Sequence, residues 1–200
     1  MARMGSTTVA DAERARAWRD WCAVSTARAC GVLGAESFQG HMTLSTLDLR
    51  GCTSLRAVGE RAFQGCHALS TVDLSGCSAL STIGARAFAG CLALHIVEMG
   101  QCTHLEHIGA HAFAGCAESE VVGLSGCAAM TAVEAYAFQA CATLTWVDLS
   151  VCSSLTHLGS LAFFRVRHAA MDRHPQRGRV GVGSAGVPVG VGRLRCVCGV

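Results

Sequence analysis

The sequence predicts an α/β repeat solenoid, and three regularities carry that expectation. Phe38, Phe63, Phe88, Phe113, Phe138 and Phe163 recur every 25 residues without a slip. Leu55, Leu80, Leu105, Met130 and Leu155 keep the same register, as do Val58, Ile83, Ile108, Val133 and Leu158. Leu49, Leu74, Met99, Leu124 and Leu149 form a further column, and Ala62, Ala87, Ala112, Ala137 and Ala162 precede five of the Phe residues. A fixed period of this length marks stacked supersecondary units, none of which can bury its apolar face alone.

Within one unit, Val72 and Leu74 alternate with polar neighbours, which suits a short strand with one buried face. Stacking the units pairs these strands into a parallel sheet. Leu80, Ile83 and Phe88 are then expected inside, with Phe88 on the convex side beside a short helical or 3₁₀ turn. Small Ala87 would let that turn pack closely. Four complete units are present, with partial ones at each end, above the minimum of about three that such an array needs.

The ends differ from the middle. Residues 1–29 read as an N-terminal helix or cap. Thr8 and Asp11 form a capping box, and Ala15, Trp18, Trp21 and Cys22 share one face. Residues 30–163 are the repeats. Residues 164–200 are rich in Arg, Gly and Val and are expected to be a flexible, disordered tail.

The unit Leu69-x-x-Val72-x-Leu74-x-x-Cys77-x-x-Leu80 resembles the leucine-rich-repeat core, in its version with Cys where many members carry Asn. The remainder, Ile83-x-x-x-Ala87-Phe88-x-Gly90-Cys91-x-x-Leu94, resembles the BspA-like group of these repeats. The resemblance implies a horseshoe or arc with a parallel concave sheet. It also implies a binding module, with surface attachment or adhesion as one use.

Composition excludes several classes. With 51% hydrophobic and 15% charged residues the chain is foldable rather than disordered. No apolar run reaches 18 residues and no secretory signal pattern opens the chain, so cytoplasmic residence is the default expectation. All 16 basic residues are Arg, and Asn is absent, a pattern that reflects GC-rich coding rather than function. Seven of the Arg lie between Arg165 and Arg195, against Asp172 alone. Contact of this tail with nucleic acid or an anionic membrane is disfavoured, because only Phe164, at its start, offers a ring for base stacking.

The 13 Cys superficially suggest a disulfide scaffold. Nine of them fall in two columns, Cys66, Cys91, Cys116 and Cys141, and Cys52, Cys77, Cys102, Cys127 and Cys152. Such periodicity points instead to small buried thiols that satisfy backbone groups. Cys102, His104, His107 and His111 are a weak metal-binding candidate, since Cys102 belongs to the inward structural column and the His positions span a turn rather than one helical face. Cys196-x-Cys198 is weaker still. Gly181-x-Gly183-x-x-Gly186 fits a dinucleotide fingerprint literally but lacks the strand, helix and later acid that the mechanism needs. No metal or cofactor is therefore expected. No singular Ser-His-Asp or Cys-His set stands apart from the repeats, so the chain is not read as an enzyme.

The concave strands offer the candidate site. One outward row reads Asp48, Asp73, Glu98, Gly123 and Asp148, and its neighbour reads Thr46, Thr71, Ile96, Val121 and Trp146. The acids suit a basic protein partner or a simple solvated surface. Ile96, Val121 and Trp146 form an apolar strip in which Trp146 is the expected anchor. The expected function is a non-catalytic protein-interaction scaffold with no small-molecule substrate. An adhesion protein, a metal- or thiol-binding protein and a fragment of a larger repeat protein are the alternatives.

Overall fold

In the computed structural model the described residues are 31–166, except 145, 148 and 150; for Val121 and Trp146 the description covers the backbone. The expected N-terminal helix over residues 1–29 and most of the expected tail over 164–200 lie outside the described residues.

The chain winds into a parallel β-solenoid. Its strands are β1 (Val32–Leu33), β2 (Thr46–Asp48), β3 (Ala57–Val58), β4 (Thr71–Asp73), β5 (Thr82–Ile83), β6 (Ile96–Glu98), β7 (His107–Ile108), β8 (Val121–Gly123), β9 (Ala132–Val133), β10 (Trp146–Val147) and β11 (His157–Leu158). They form two sheets. The odd strands β1 to β9 with β11 make a six-stranded sheet, and β2, β4, β6, β8 and β10 make a five-stranded one. Every pairing is parallel and joins residues 25 apart, as in Val72↔Val97 and Ile83↔Ile108. The sequence period is thus the register of both sheets.

Two expectations need correction. The sequence led to one concave sheet faced by a helical turn, whereas each coil contributes a second strand, β3 or its equivalents. No helix occurs among the described residues. The Ala-Phe segment shows why. In the second coil the amides of Ala62, Gln64 and Cys66 close turns onto Gly59, Arg61 and Phe63. The alternate amides of Arg61, Phe63 and Gly65 donate instead to Ala85, Ala87 and Ala89 of the next coil. Half of the donors are therefore committed between coils, and a helix would need them within one coil. Left-handed residues at Arg61 (φ 54°) and Gly65 (φ 73°) also interrupt any helical propagation.

The core follows the columns. Leu47, Val72, Val97, Val122 and Val147 are buried, as are Leu49, Leu74, Met99, Leu124 and Leu149. The six Phe rings stack face to face along the solenoid. Centroid separations run from 5.1 Å for Phe38–Phe63 to 5.3 Å for Phe113–Phe138, with ring planes within 7° of parallel. That spacing is close to the strand repeat of about 4.8 Å, so each ring packs on its neighbour because each backbone does.

A glycine column sets the closest approach between coils. A Cβ on Gly84 would lie 2.7 Å from the Glu60 nitrogen and 2.9 Å from the Val58 oxygen, and Gly59 and Gly109 are as tight. Glu134 occupies this column between Gly109 and Gly159. Its carboxylate reaches into the next coil, 3.7 Å from His157 Nε2.

One core column is broken. Leu44, Leu69, Leu94 and Leu144 are buried in line, but Ser119 holds the place between Leu94 and Leu144 and is 2% exposed. The backbone there is undisturbed, since the Ser119 amide bonds Cys116 O at 3.2 Å as Leu69 bonds Cys66.

Two opposite effects on thermal unfolding follow. Gly84→Ala drives a methyl into the backbone of the previous coil and is expected to cost about 2 kcal/mol, as overpacking does. Ser119→Leu restores the column and is expected to stabilise by about 2 kcal/mol through added apolar burial. Denaturant midpoints of the two variants against the parent check both signs.

Candidate protein-binding face

Four of the five strands in the five-stranded sheet have three residues, and the middle one points inward. The residues on either side therefore point outward in two parallel rows. The structure brings both expected rows together. Thr46, Thr71, Ile96, Val121 and Trp146 pair in sequence across the sheet. Asp48, Asp73, Glu98 and Gly123 pair in the same way. Asp148, the last acid of the expected row, lies outside the described residues, as do the side chains of Val121 and Trp146.

The acidic row is not uniform. Asp48 accepts the Arg50 amide at 3.1 Å and its guanidinium Nη2 at 2.7 Å. The same guanidinium lies 3.4 Å from the Asp73 carboxylate, which also accepts the Ser75 amide at 2.9 Å. The hydrogen bond to Asp48, followed by the charges of Asp48 and Asp73, raises the Arg50 pKa further. Two of the expected acids thus cap their own turns and share one cation. Glu98 differs. Its carboxylate lies over Gly123, where the missing side chain leaves it room.

Sequence reasoning missed two acids of this face. Glu118 and Glu120 lie just before β8, beside the apolar row. Glu118 is more than half exposed and lies 3.3 Å from His95 Nε2. The available signal was charge segregation. From Ala87 to Phe164 the chain holds Glu98, Glu106, Glu118, Glu120, Glu134 and Asp148 but no Arg. Of the expected apolar strip, Ile96 is 43% exposed.

The thiols take the structural role expected of them. Cys91 donates to Phe63 O at 3.2 Å, and Cys116 and Cys141 repeat this with Phe88 and Phe113. Cys77, Cys102 and Cys127 donate to Leu49, Leu74 and Met99 at 3.3 Å. Each bond spans 28 positions, so a thiol caps a turn carbonyl of the coil before it. The acceptors are already engaged in their own coil: Phe63 O takes the Cys66 amide and Leu74 O the Cys77 amide. His41 stands at the head of the first thiol column, where its Nδ1 accepts the Leu44 amide at 3.0 Å.

The histidines of the weak metal candidate are dispersed. His104 Nδ1 contacts Ser78 O, His107 lies 4.0 Å from Glu106, and His111 stacks on Tyr136 at 4.9 Å. Among the described residues no three His, Cys, Asp or Glu side chains form a group that could hold a metal ion.

Residues 31–169 match the family model described as the BspA type leucine rich repeat region, in six copies. The chain belongs to this family of leucine-rich repeats. Among solved structures it is similar to a leucine-rich repeat protein of T. pallidum, at 21% identity over 68% of this chain and 71% of that one, with TM-score 0.42. It is also similar to one from Eubacterium ventriosum, at 19% identity over 72% of this chain and 42% of that one, with TM-score 0.45. A leucine rich cell surface protein of Faecalibacterium prausnitzii matches at 20% identity over 68% of this chain and 40% of that one, with TM-score 0.38. The chain spans less than half the length of the latter two. Comparison with curated protein sequences finds no match.

Burial makes the thiols unreactive. It pushes the Cys66 and Cys102 pKa values up to about 11 and those of Cys127 and Cys141 to about 12, against an ordinary 9.0, and their backbone hydrogen bonds only partly oppose it. An unfolded thiol ionises first as pH rises, so the folded state then holds more protons. The stabilising contribution is full below pH 9 and is lost as pH climbs through the folded values near 11 and 12. Thermal midpoints measured from pH 7 to 11 should fall above pH 9. Iodoacetamide at pH 8, followed by peptide mass mapping, should leave these four thiols unmodified until the protein is unfolded.

Proposed function

We propose that this protein is a non-catalytic interaction scaffold that binds a basic protein partner through the outer face of the five-stranded sheet. The observation that carries this reading is the juxtaposition on one face of Ile96 with Glu98, Glu118 and Glu120. An apolar centre beside carboxylates is the anatomy of a specific protein contact. Trp146 is in register with Val121 in the apolar row, and Trp is a residue type that often anchors such contacts.

A scaffold also agrees with how the polar side chains are used. The Cys and many of the Ser and Thr repeat one local bond from coil to coil; Ser70, Ser81 and Thr131, for example, each bond the carbonyl 25 residues earlier. A catalytic centre needs residues that occur once and converge, and these are spent on stacking. The reduced state that the thiol bonds require suits a reducing compartment, and on that ground we place the protein in the cytoplasm. No helix among the described residues is long and apolar enough to cross a membrane.

Affinity capture from the native source with the full chain, followed by titration of the captured protein, tests the reading. Trp146→Ala and Glu98→Gln should each weaken binding about tenfold or more while thermal unfolding stays unchanged. The Glu98 effect should shrink as salt rises, because rim charges are screened. Equal affinity of the parent and both variants would dismiss this face as the contact.

A further inference from the structure

We propose that residues 167–195 of the same chain are an internal competitor for the five-stranded face, docking there and holding it partly occupied. This rests on the reading of that face as a surface for basic partners. Two observations meet in it. The face carries Asp48, Asp73, Glu98, Glu118 and Glu120, with Arg50 as its cation, and Arg50 is already engaged by the two aspartates. The chain that continues beyond Val166 carries Arg167, Arg173, Arg177, Arg179, Arg193 and Arg195 against Asp172 alone. Charge of one sign lies on the sheet, and charge of the other is tethered to its end.

The tether makes the geometry permissive. Val166 packs against the core at the last described coil, on the end of the solenoid next to the Arg-free stretch. Running back from there to β6 crosses about three coils, on the order of 14 Å at the usual strand spacing. An extended segment of this length reaches roughly 90 Å. Covalent linkage to the same chain places binding groups at about millimolar effective concentration, so even weak charge pairing is populated when it is intramolecular. Guanidinium groups suit the site because they pair with carboxylates through two parallel hydrogen bonds. The six-stranded sheet is a poorer seat, since Arg56 and Arg61 add positive charge along its edge and Arg61 is paired with Glu36 at 3.0 Å.

The probe that tests this is fluorescein-labelled nona-arginine, followed by anisotropy at low salt with the full-length protein. A variant with all six tail arginines changed to Gln should bind the probe about tenfold more tightly than the parent, because the competitor has been removed. Adding Glu98→Gln, Glu118→Gln and Glu120→Gln to that variant should abolish the gain. Glu106→Gln with Glu134→Gln, beside the other sheet, should leave it intact. If parent and tail variant bind the probe equally, the internal contact is overturned while the reading of the face stands. If neither binds, both are overturned. If the Glu106 and Glu134 changes abolish the gain as well, the tail does not sit on the five-stranded face and the proposal is overturned.

Discussion

Everything in this molecule depends on the backbone ladder between successive coils. The amides of Phe38, Phe63, Phe88, Phe113 and Phe138 donate to the carbonyls of Ala62, Ala87, Ala112, Ala137 and Ala162, at 2.7 to 2.8 Å. Both sheets repeat the same offset on the other sides of the coil. Once that offset is fixed, identical residues stand one above another. The Phe stack, the thiol caps and the outward rows are then consequences rather than separate inventions. At Gly59, Gly84 and Gly109 the missing side chain lets the coils approach closely, and the ladder continues through Glu134, whose amide bonds Ile108 O at 2.9 Å.

The ladder also explains where the array tolerates change. Left-handed positions accept Glu36, Arg61, Arg86, His111, Tyr136 and Leu161, all with φ between 54° and 58°. Such residues cost backbone energy of the order of 1 kcal/mol each, and the ladder on either side holds them in place. Their side chains face outward, so this column is free to vary in chemistry. The inward columns are not: where Ser119 replaces a leucine, packing is lost with no hydrogen-bonding necessity to explain it.

Much of this was legible in the sequence because a repeat reports its own register. The period, the buried columns and the structural use of Cys77 and Cys91 were all readable from recurrence. The second sheet was not, because Ala57–Val58 and Thr82–Ile83 are too short to show alternation. The Ala87-Phe88 segment was expected beside a short helical or 3₁₀ turn into which small Ala87 would pack closely. Here the Phe88 amide bonds the next coil, a fact that no local propensity encodes. On the candidate face, alternation placed Asp48, Asp73 and Glu98 in one row correctly. It did not show that Arg50, two residues after Asp48, turns back to neutralise the first two. Asp148 and the side chains of Val121 and Trp146 stay with the sequence reading alone. The broken positions, Ser119 in a leucine column and Glu134 in a glycine column, were visible as irregularities whose meaning required the neighbouring coils.

The central claim is that a 25-residue offset between coil backbones organises the whole protein, and insertion of a repeat tests it most directly. A duplicate of residues 67–91 inserted after Cys91 adds one coil in register, while a copy shortened by one residue adds a coil out of register. Stability in such arrays is approximately a sum over neighbouring units. The in-register insertion should therefore raise the thermal midpoint and the out-of-register one should lower it. Equal shifts from the two insertions would contradict the account.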